Sequence, residues 1–398
     1  MKPARALFSG AVVLYFVIAL EVLIMISPFA AFFYAAFDPV LLFLTRWPAT
    51  GWLAGFFLPH MVVPPGPLLL GVRVAGSVLF VGGAIAFLAC AGQVYFCKLA
   101  RRGPALSGAY AWIRHPQYLS LAVTGLGLAI LWPRLLTLVL WTVMVGLYLL
   151  LARDEERRML AAFPGQYRPY LERTGRFLPR PLGGLLARIP GPRGDGPRAA
   201  AGMALLLAVA VLGALGLRAY TVARLPLWSD GRTTVLAVLP GDGIMLQHRM
   251  ADVLRLPEIE ARLPGNGAVL AYAVPVQYVM QGMIADTEPA WRLYQHHQTM
   301  AMIVDWILHP LRHLEGGHAT MHHPGGGAPG AGATTRRIIF LRVPSADRAP
   351  GSAAALFALD AVRQPLFFAD VDLHTLEVLA VRQLGPGTGW GDVPTPMF

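Results

Sequence analysis

Hydrophobic and polar positions follow two different regimes along the chain. Before about residue 220, apolar residues come in long runs. A bilayer's hydrocarbon core needs about 20 such residues to cross it as a helix. Phe8 to Ser27 is the first run, broken mainly by Glu21. Val74 to Phe96 is the second. Pro116 to Leu131 and Leu135 to Leu151 follow, joined by Trp132-Pro133-Arg134. So short a break predicts a tight antiparallel hairpin, with Trp132 at its tip as a candidate interfacial anchor. Ala199 to Leu217 is the last run and carries no charge. Residues 38–68 are apolar too, but Asp38, Arg46, Pro48, Pro59, Pro64, Pro65 and Pro67 interrupt them. That density of breakers predicts a re-entrant or interfacial segment rather than a crossing. The first run is too long for a signal-peptide core and has no clean small-residue cleavage site after it, which predicts a retained helix.

Beyond residue 217 the period shortens. Thr233–Leu239, Ala268–Val274, Arg337–Val343 and Leu366–Val381 read as strands, and Pro289–Leu314 as a helix. Gly316–Thr335 is a Gly/Ala/His-rich loop. The expected fold class is an α-helical multi-span membrane domain of about five transmembrane helices followed by an α+β extramembrane domain. The expected boundaries are a membrane domain over 1–180, a Pro/Gly/Arg linker over 181–198, the last transmembrane helix over 199–217, and the extramembrane domain over 218–398.

Composition supports this division. Hydrophobic residues make up 56% of the chain and charged residues 14%, against about 25% charged in an average soluble domain. The net charge of +11 is uneven: residues 1–217 hold 19 Lys/Arg against 7 Asp/Glu, and residues 218–398 hold 14 against 15. The basic excess thus belongs to the apolar half and predicts positive-inside loops. No basic stripe with interleaved aromatics marks a nucleic-acid surface, so nucleic acid is not an expected partner and the lipid bilayer is. Lys98, Arg101 and Arg102 follow one run, and Arg153, Arg157 and Arg158 follow the hairpin. Both clusters are expected on the cytoplasmic side of the cell (inner) membrane, which places residues 218–398 outside it in a five-span scheme. Cys90 and Cys97 are seven apart on one helix, sharing a face but too distant to bridge.

The chemistry concentrates between Gly108 and Pro179. Pro116 is suited to open a helix, which sets Arg114 and His115 just outside an anion-attracting helix N-terminus. A guanidinium added there makes a carboxylate clamp. The hairpin returns Glu155 and Glu156 to the same membrane boundary, so a cationic pair and an anionic pair converge. Gly108-x-Tyr110, Arg114-His115-Pro116-x-Tyr118, the hairpin, Glu155-Glu156, Phe163-x-x-x-Tyr167-x-x-Tyr170 and Arg176-Phe177-x-Pro179 form one composite pattern. The pattern resembles the isoprenylcysteine carboxyl methyltransferase and phospholipid methyltransferase superfamily over residues 108–179, and more loosely the preceding spans. One departure is local: Phe163-Pro164-Gly165 has Pro where that family tends to have Gly.

The resemblance implies an S-adenosylmethionine-dependent methyltransferase working at the cytoplasmic face on a lipophilic small acceptor, a carboxylate, amine or thiol. It implies that Arg114 and His115 contact the cofactor's carboxylate end, that Tyr110, Pro116 and Tyr118 line the pocket, and that Glu155 and Glu156 bind its amino group or ribose hydroxyls. Two other readings are weighed. A sterol-reductase-like NADPH enzyme shares the hairpin architecture but has more spans than this chain. A membrane-tethered metal-binding module with a degenerate N-terminal half conflicts with intact Arg114, His115, Glu155 and Glu156.

The tail resembles no family, and its distinguishing feature is histidine. Nine of the 11 His lie beyond residue 218, seven of them between His296 and His323. Met245, Met250, Met300, Met302 and Met321 lie among them, and imidazole with thioether suits copper. His309, His313, His318, His322 and His323 are the candidate ligands, with His309 and His313 on one helix face.

Overall fold

The computed structural model describes residues 41, 43–59, 66–100, 103–182, 195–239, 241–278, 281–282, 284–287 and 334–386. The first apolar run, residues 60–65, residues 183–194 of the linker expected over 181–198, and the histidine-rich stretch lie outside them. So do His309, His313, His318, His322 and His323. The chain divides into two compact units, Met1–Val22 with Leu70–Leu215, and Leu23–Leu69 with Gly216–Phe398.

Among the described residues, three helices are long and apolar enough to cross a membrane. They are α1 (Pro67–Leu99), α3 (Leu135–Ala162) and α5 (Asp195–Val222). At about 1.5 Å per residue, α1 runs about 50 Å, well beyond the ~30 Å hydrocarbon core. Its Leu70, Val74, Val78, Val81, Ile85 and Leu88 are exposed, as are Leu205, Val209 and Leu212 of α5. Such a surface is costly in water and natural in lipid. α2 (Pro116–Leu131) is shorter, about 24 Å long. It pairs with α3 through the expected hairpin, where the Trp141 indole donates to Ala122 O at 2.7 Å. Trp132, weighed above as an interfacial anchor, is instead fully buried with Arg134 at the hairpin tip. Gly127 lets α2 meet α1 backbone to backbone, since a Cβ there would collide with Phe80 N and Gly76 O. α4 (Pro164–Arg173) begins immediately after α3, with Pro164 at its first turn. The Pro that departs from the family pattern is therefore well placed, because a helix start does not need its missing N–H.

The second unit is built on a six-stranded mixed sheet in sequence order. Its strands are β1 (Leu227–Ser229), β2 (Thr233–Ala237), β3 (Val269–Pro275), β4 (Thr335–Arg342), β5 (Gln364–Asp372) and β6 (Val378–Gln383). β2 and β3 are parallel and the other neighbours antiparallel. A parallel pair needs a crossover, and α6 (Asp242–Leu254) and the short α7 (Pro257–Glu260) supply it. Leu246, Met250 and Val253 of α6 pack on Val235, Ala271, Phe340 and Ala369 of one sheet face. Met250, noted as a candidate soft-metal neighbour, is thus a core residue. The stretch read as one strand, Leu366–Val381, is two strands joined by a turn. Asp372 Oδ1 accepts from the backbone N–H of His374 and Thr375, an Asx turn that reverses the chain. Residues 48–54, inside the segment read as re-entrant, form two short helical turns that belong to the second unit.

Candidate functional site

The site is assembled by a loop, a helix start and a helix end. Pro116 opens α2 as its sequence position predicts. The backbone just before it is pinned from outside the helix. Ile113 bridges to Gly175 in parallel register, Arg114 N donates to Gly175 O at 2.9 Å, and His115 N donates to Arg176 O at 3.1 Å. Gly175 permits this fold-back, since a Cβ there would strike Leu178 O. The Arg-His-Pro and Arg-Phe-x-Pro segments are therefore one structural feature, far apart in the chain but side by side in space.

The hairpin delivers both glutamates to this point. Glu156 accepts from Arg176 through Nε at 3.0 Å and the terminal nitrogen at 2.6 Å, a bidentate pair. Arg114 reaches the same carboxylate at 3.2 Å, and His115 Nε2 lies 3.3 Å from it. Glu155 faces the other ring nitrogen: its Oε2 lies 3.4 Å from His115 Nδ1, within ion-pair distance but not in hydrogen-bonding alignment. His115 is 1% exposed. Burial disfavours its charged form, but the two facing carboxylates outweigh that, and its pKa is raised above the ordinary value.

Aromatic rings frame the cluster. Tyr118 stacks on His115 at 5.5 Å between centroids and on Tyr148 at 5.2 Å, and Phe177 lies 5.9 Å from the imidazole. Tyr110 is buried, with its hydroxyl donating to Gln117 Oε1 at 2.7 Å, while Tyr170 donates to Tyr110 O at 2.8 Å. Tyr110 and Tyr170 thus brace the loop. Burial raises the pKa of both phenols, Tyr170 to about 12, so both hydroxyls keep their protons at neutral pH.

All seven residues singled out from the sequence, Tyr110, Arg114, His115, Pro116, Tyr118, Glu155 and Glu156, belong to this neighbourhood. Arg176 was quoted in the pattern but assigned no role, and it proves to be the strongest partner of Glu156. Phe177 was likewise quoted without a role, and Tyr148 was not singled out. Three buried polar atoms of the cluster have no hydrogen-bond partner: Arg114 Nε, His115 Nδ1 and Glu155 Oε2. They present a fixed donor, a ring nitrogen and a carboxylate oxygen. Among the described residues no group of three or more His, Cys, Asp or Glu is arranged to hold a metal. No family model, no curated protein and no solved structure matches the chain.

Proposed function

We propose that the first unit is an S-adenosylmethionine-dependent methyltransferase acting on a lipophilic, membrane-borne acceptor. The observation that supports this reading is a buried cluster of mixed charge in which Arg114 Nε has no hydrogen-bond partner and His115 Nδ1 meets Glu155 Oε2 only in a loose, unaligned contact at 3.4 Å. Buried polar atoms are nearly always hydrogen-bonded, so one atom with no partner beside a pair whose contact is out of alignment suits a ligand's polar groups. An α-amino-acid headgroup fits them: its carboxylate suits Arg114 Nε–H and His115, and its ammonium suits Glu155 Oε2. Glu156 has a different part from the one the resemblance implies. Its oxygens are already engaged by Arg176, Arg114 and His115. It is a positioning residue, holding the two groups that would meet the ligand.

When bound, S-adenosylmethionine supplies an electrophilic methyl group on a sulfonium. This chain's residues have the work of binding and orientation, which can account for much of the rate of an in-line displacement. The stacked Tyr118 and Tyr148 wall one side of the cluster, beside His115. The acceptor, a carboxylate, amine or thiol on an apolar body, enters from the bilayer beside α2 and α3. In the same proposal the chain crosses the inner membrane five times, with residues 103–115 and 152–198 in the cytoplasm and the sheet unit outside.

Purified protein with methyl-labelled S-adenosylmethionine and a membrane lipid extract tests the activity. Label is expected in the organic phase, and lost with His115→Ala. Oxidation of NADPH by the same preparation with sterol substrates, without methyl transfer, would replace the proposal by the reductase reading.

A further inference from the structure

The described residues between 41 and 58, part of the stretch read from the sequence as re-entrant or interfacial, have two sides. Leu41, Ala54, Phe56, Phe57 and Leu58 are buried. Phe43 and Trp47 are instead 58% and 59% exposed, and Arg46 between them in the chain is exposed too. The backbone that carries these rings is held by its own bonds. Thr50 Oγ1 donates to Leu44 O at 2.8 Å, and the Trp52 indole donates to Ala49 O at 2.8 Å. The fold therefore fixes two large aromatic side chains outside the core, where contact with water is unfavourable.

The place of this segment in the sheet unit points to what covers the rings. The same unit holds the first residues of α1, 67–69, and the last turns of α5, 216–222. Arg218 of α5 donates to Phe56 O and to Phe357 O, so the segment lies against the end of that helix. Depth can be counted along α5. Leu212 is exposed on its apolar stretch, and Arg224, 4.5 Å from the centre of the Tyr220 ring, is the next exposed charge. At ~1.5 Å per residue, Arg218 lies about 9 Å past Leu212 and a similar distance short of Arg224. A Tyr and an Arg just past an apolar stretch mark the boundary between membrane and water. The Phe56 carbonyl is thus held close to that boundary. From there the chain leads on to α1, whose Leu68 and Leu70 are again exposed.

We infer that Phe43 and Trp47 form a lipid-surface anchor, with both rings in the zone between headgroups and acyl chains. Aromatic side chains, Trp above all, favour that zone because an apolar body and a polar edge each find a matching solvent there. Arg46 supplies the charge that complements lipid phosphate. The anchor ties the sheet unit to the bilayer at a point other than its two helices. The inference rests on α1 and α5 crossing the membrane and is independent of the methyltransferase reading.

The test uses the full chain, with Cys90 and Cys97 replaced by Ser, in vesicles of phosphatidylcholine and phosphatidylglycerol. A nitrobenzoxadiazole probe is attached in turn to Phe43→Cys, Trp47→Cys, Val81→Cys and Asn266→Cys. Both rings are exposed, so neither cysteine opens the core. Val81 is exposed near the middle of α1. Asn266 is exposed before β3, at the end of the sheet away from the junction of α5 and β1, and serves as the water reference. Probes at 43 and 47 are expected to be quenched more by a lipid nitroxide near the headgroup than by one deep in the acyl chain. They are expected to be about threefold less open to aqueous iodide than the Asn266 probe, as burial ~5–10 Å into the boundary implies. The Val81 probe should show the reverse depth order. Probes at 43 and 47 that are as open to iodide as the Asn266 probe, with Val81 quenched from deep lipid, overturn the inference and leave the crossing of α1 intact. Probes shielded from iodide yet quenched by neither nitroxide also overturn it, because protein then covers the rings. A Val81 probe that meets no lipid quencher overturns the membrane crossing, and the anchor with it.

Discussion

Glu156→Gln isolates the electrostatic clamp that the account places behind the binding residues. The Glu156 side chain is 10% exposed, Arg114 14% and Arg176 32%. Gln keeps one carbonyl acceptor, so one of the two Arg176 bonds survives in weakened form. The other is lost, along with the negative charge that three cationic groups share. A hydrogen bond to a charged group contributes about 1.5–3 kcal/mol, and breaking a buried pair costs about 3–5 kcal/mol. The partial exposure of Arg176 lets water take over some of its solvation, which places the loss near the lower range. The expected destabilisation is about 2–3 kcal/mol, or about 5–10 °C in midpoint for a unit of this size. Thermal unfolding of the full chain in detergent measures it. Arg176→Gln alone should cost a similar amount, and the double variant should cost less than the sum by about 1–2 kcal/mol. Additivity within about 0.5 kcal/mol would refute the claim that Arg176 and Glu156 form one unit.

Two further outcomes follow from the same geometry. Because the folded pKa of His115 is raised, its protonated form is favoured by the fold; that stability is fully present below the unfolded value of about 6.5 and fades as pH rises through the folded value. The midpoint difference between wild type and His115→Asn should therefore shrink as pH rises through that window, and a difference that is flat or grows with pH contradicts it. For topology, in a background with Cys90 and Cys97 replaced, Ser352→Cys should label with an impermeant thiol reagent in intact cells and Ser107→Cys should not; the reverse pattern, or equal labelling, rejects the five-span arrangement.

Much of the site was legible in the sequence because its parts are tied to local signals. Pro116 announces a helix start, the Trp132-Pro133-Arg134 break announces a hairpin, and a hairpin necessarily returns Glu155 and Glu156 to the side of Arg114 and His115. The Arg176 pairing was not legible, since nothing local says that residues 113–115 run beside 175–176. That contact depends on a backbone bridge and on the fold-back at Gly175. The apolar runs of α1, α3 and α5 were legible within a few residues of their cores. Their ends were not, because charged residues such as Arg153 and Glu156 continue a helix as readily as they leave a membrane. In the sheet unit, β2 to β4 were read closely, whereas β5 and β6 merged into one stretch. Their turn relies on Asp372 accepting from its own backbone, and it carries neither Gly nor Pro to signal it. α6 was missed, although Leu246, Met250 and Val253 fall at helical spacing, because the stretch is short and Met was weighed there as a metal ligand.

Calorimetric titration of S-adenosylmethionine and its demethylated product into the purified full chain, in several detergents and lipids, tests the central claim most directly. The account predicts stoichiometric binding to the wild type that weakens at least tenfold in His115→Ala and in Arg114→Gln. A folded wild type that binds neither molecule in any of these environments would contradict it.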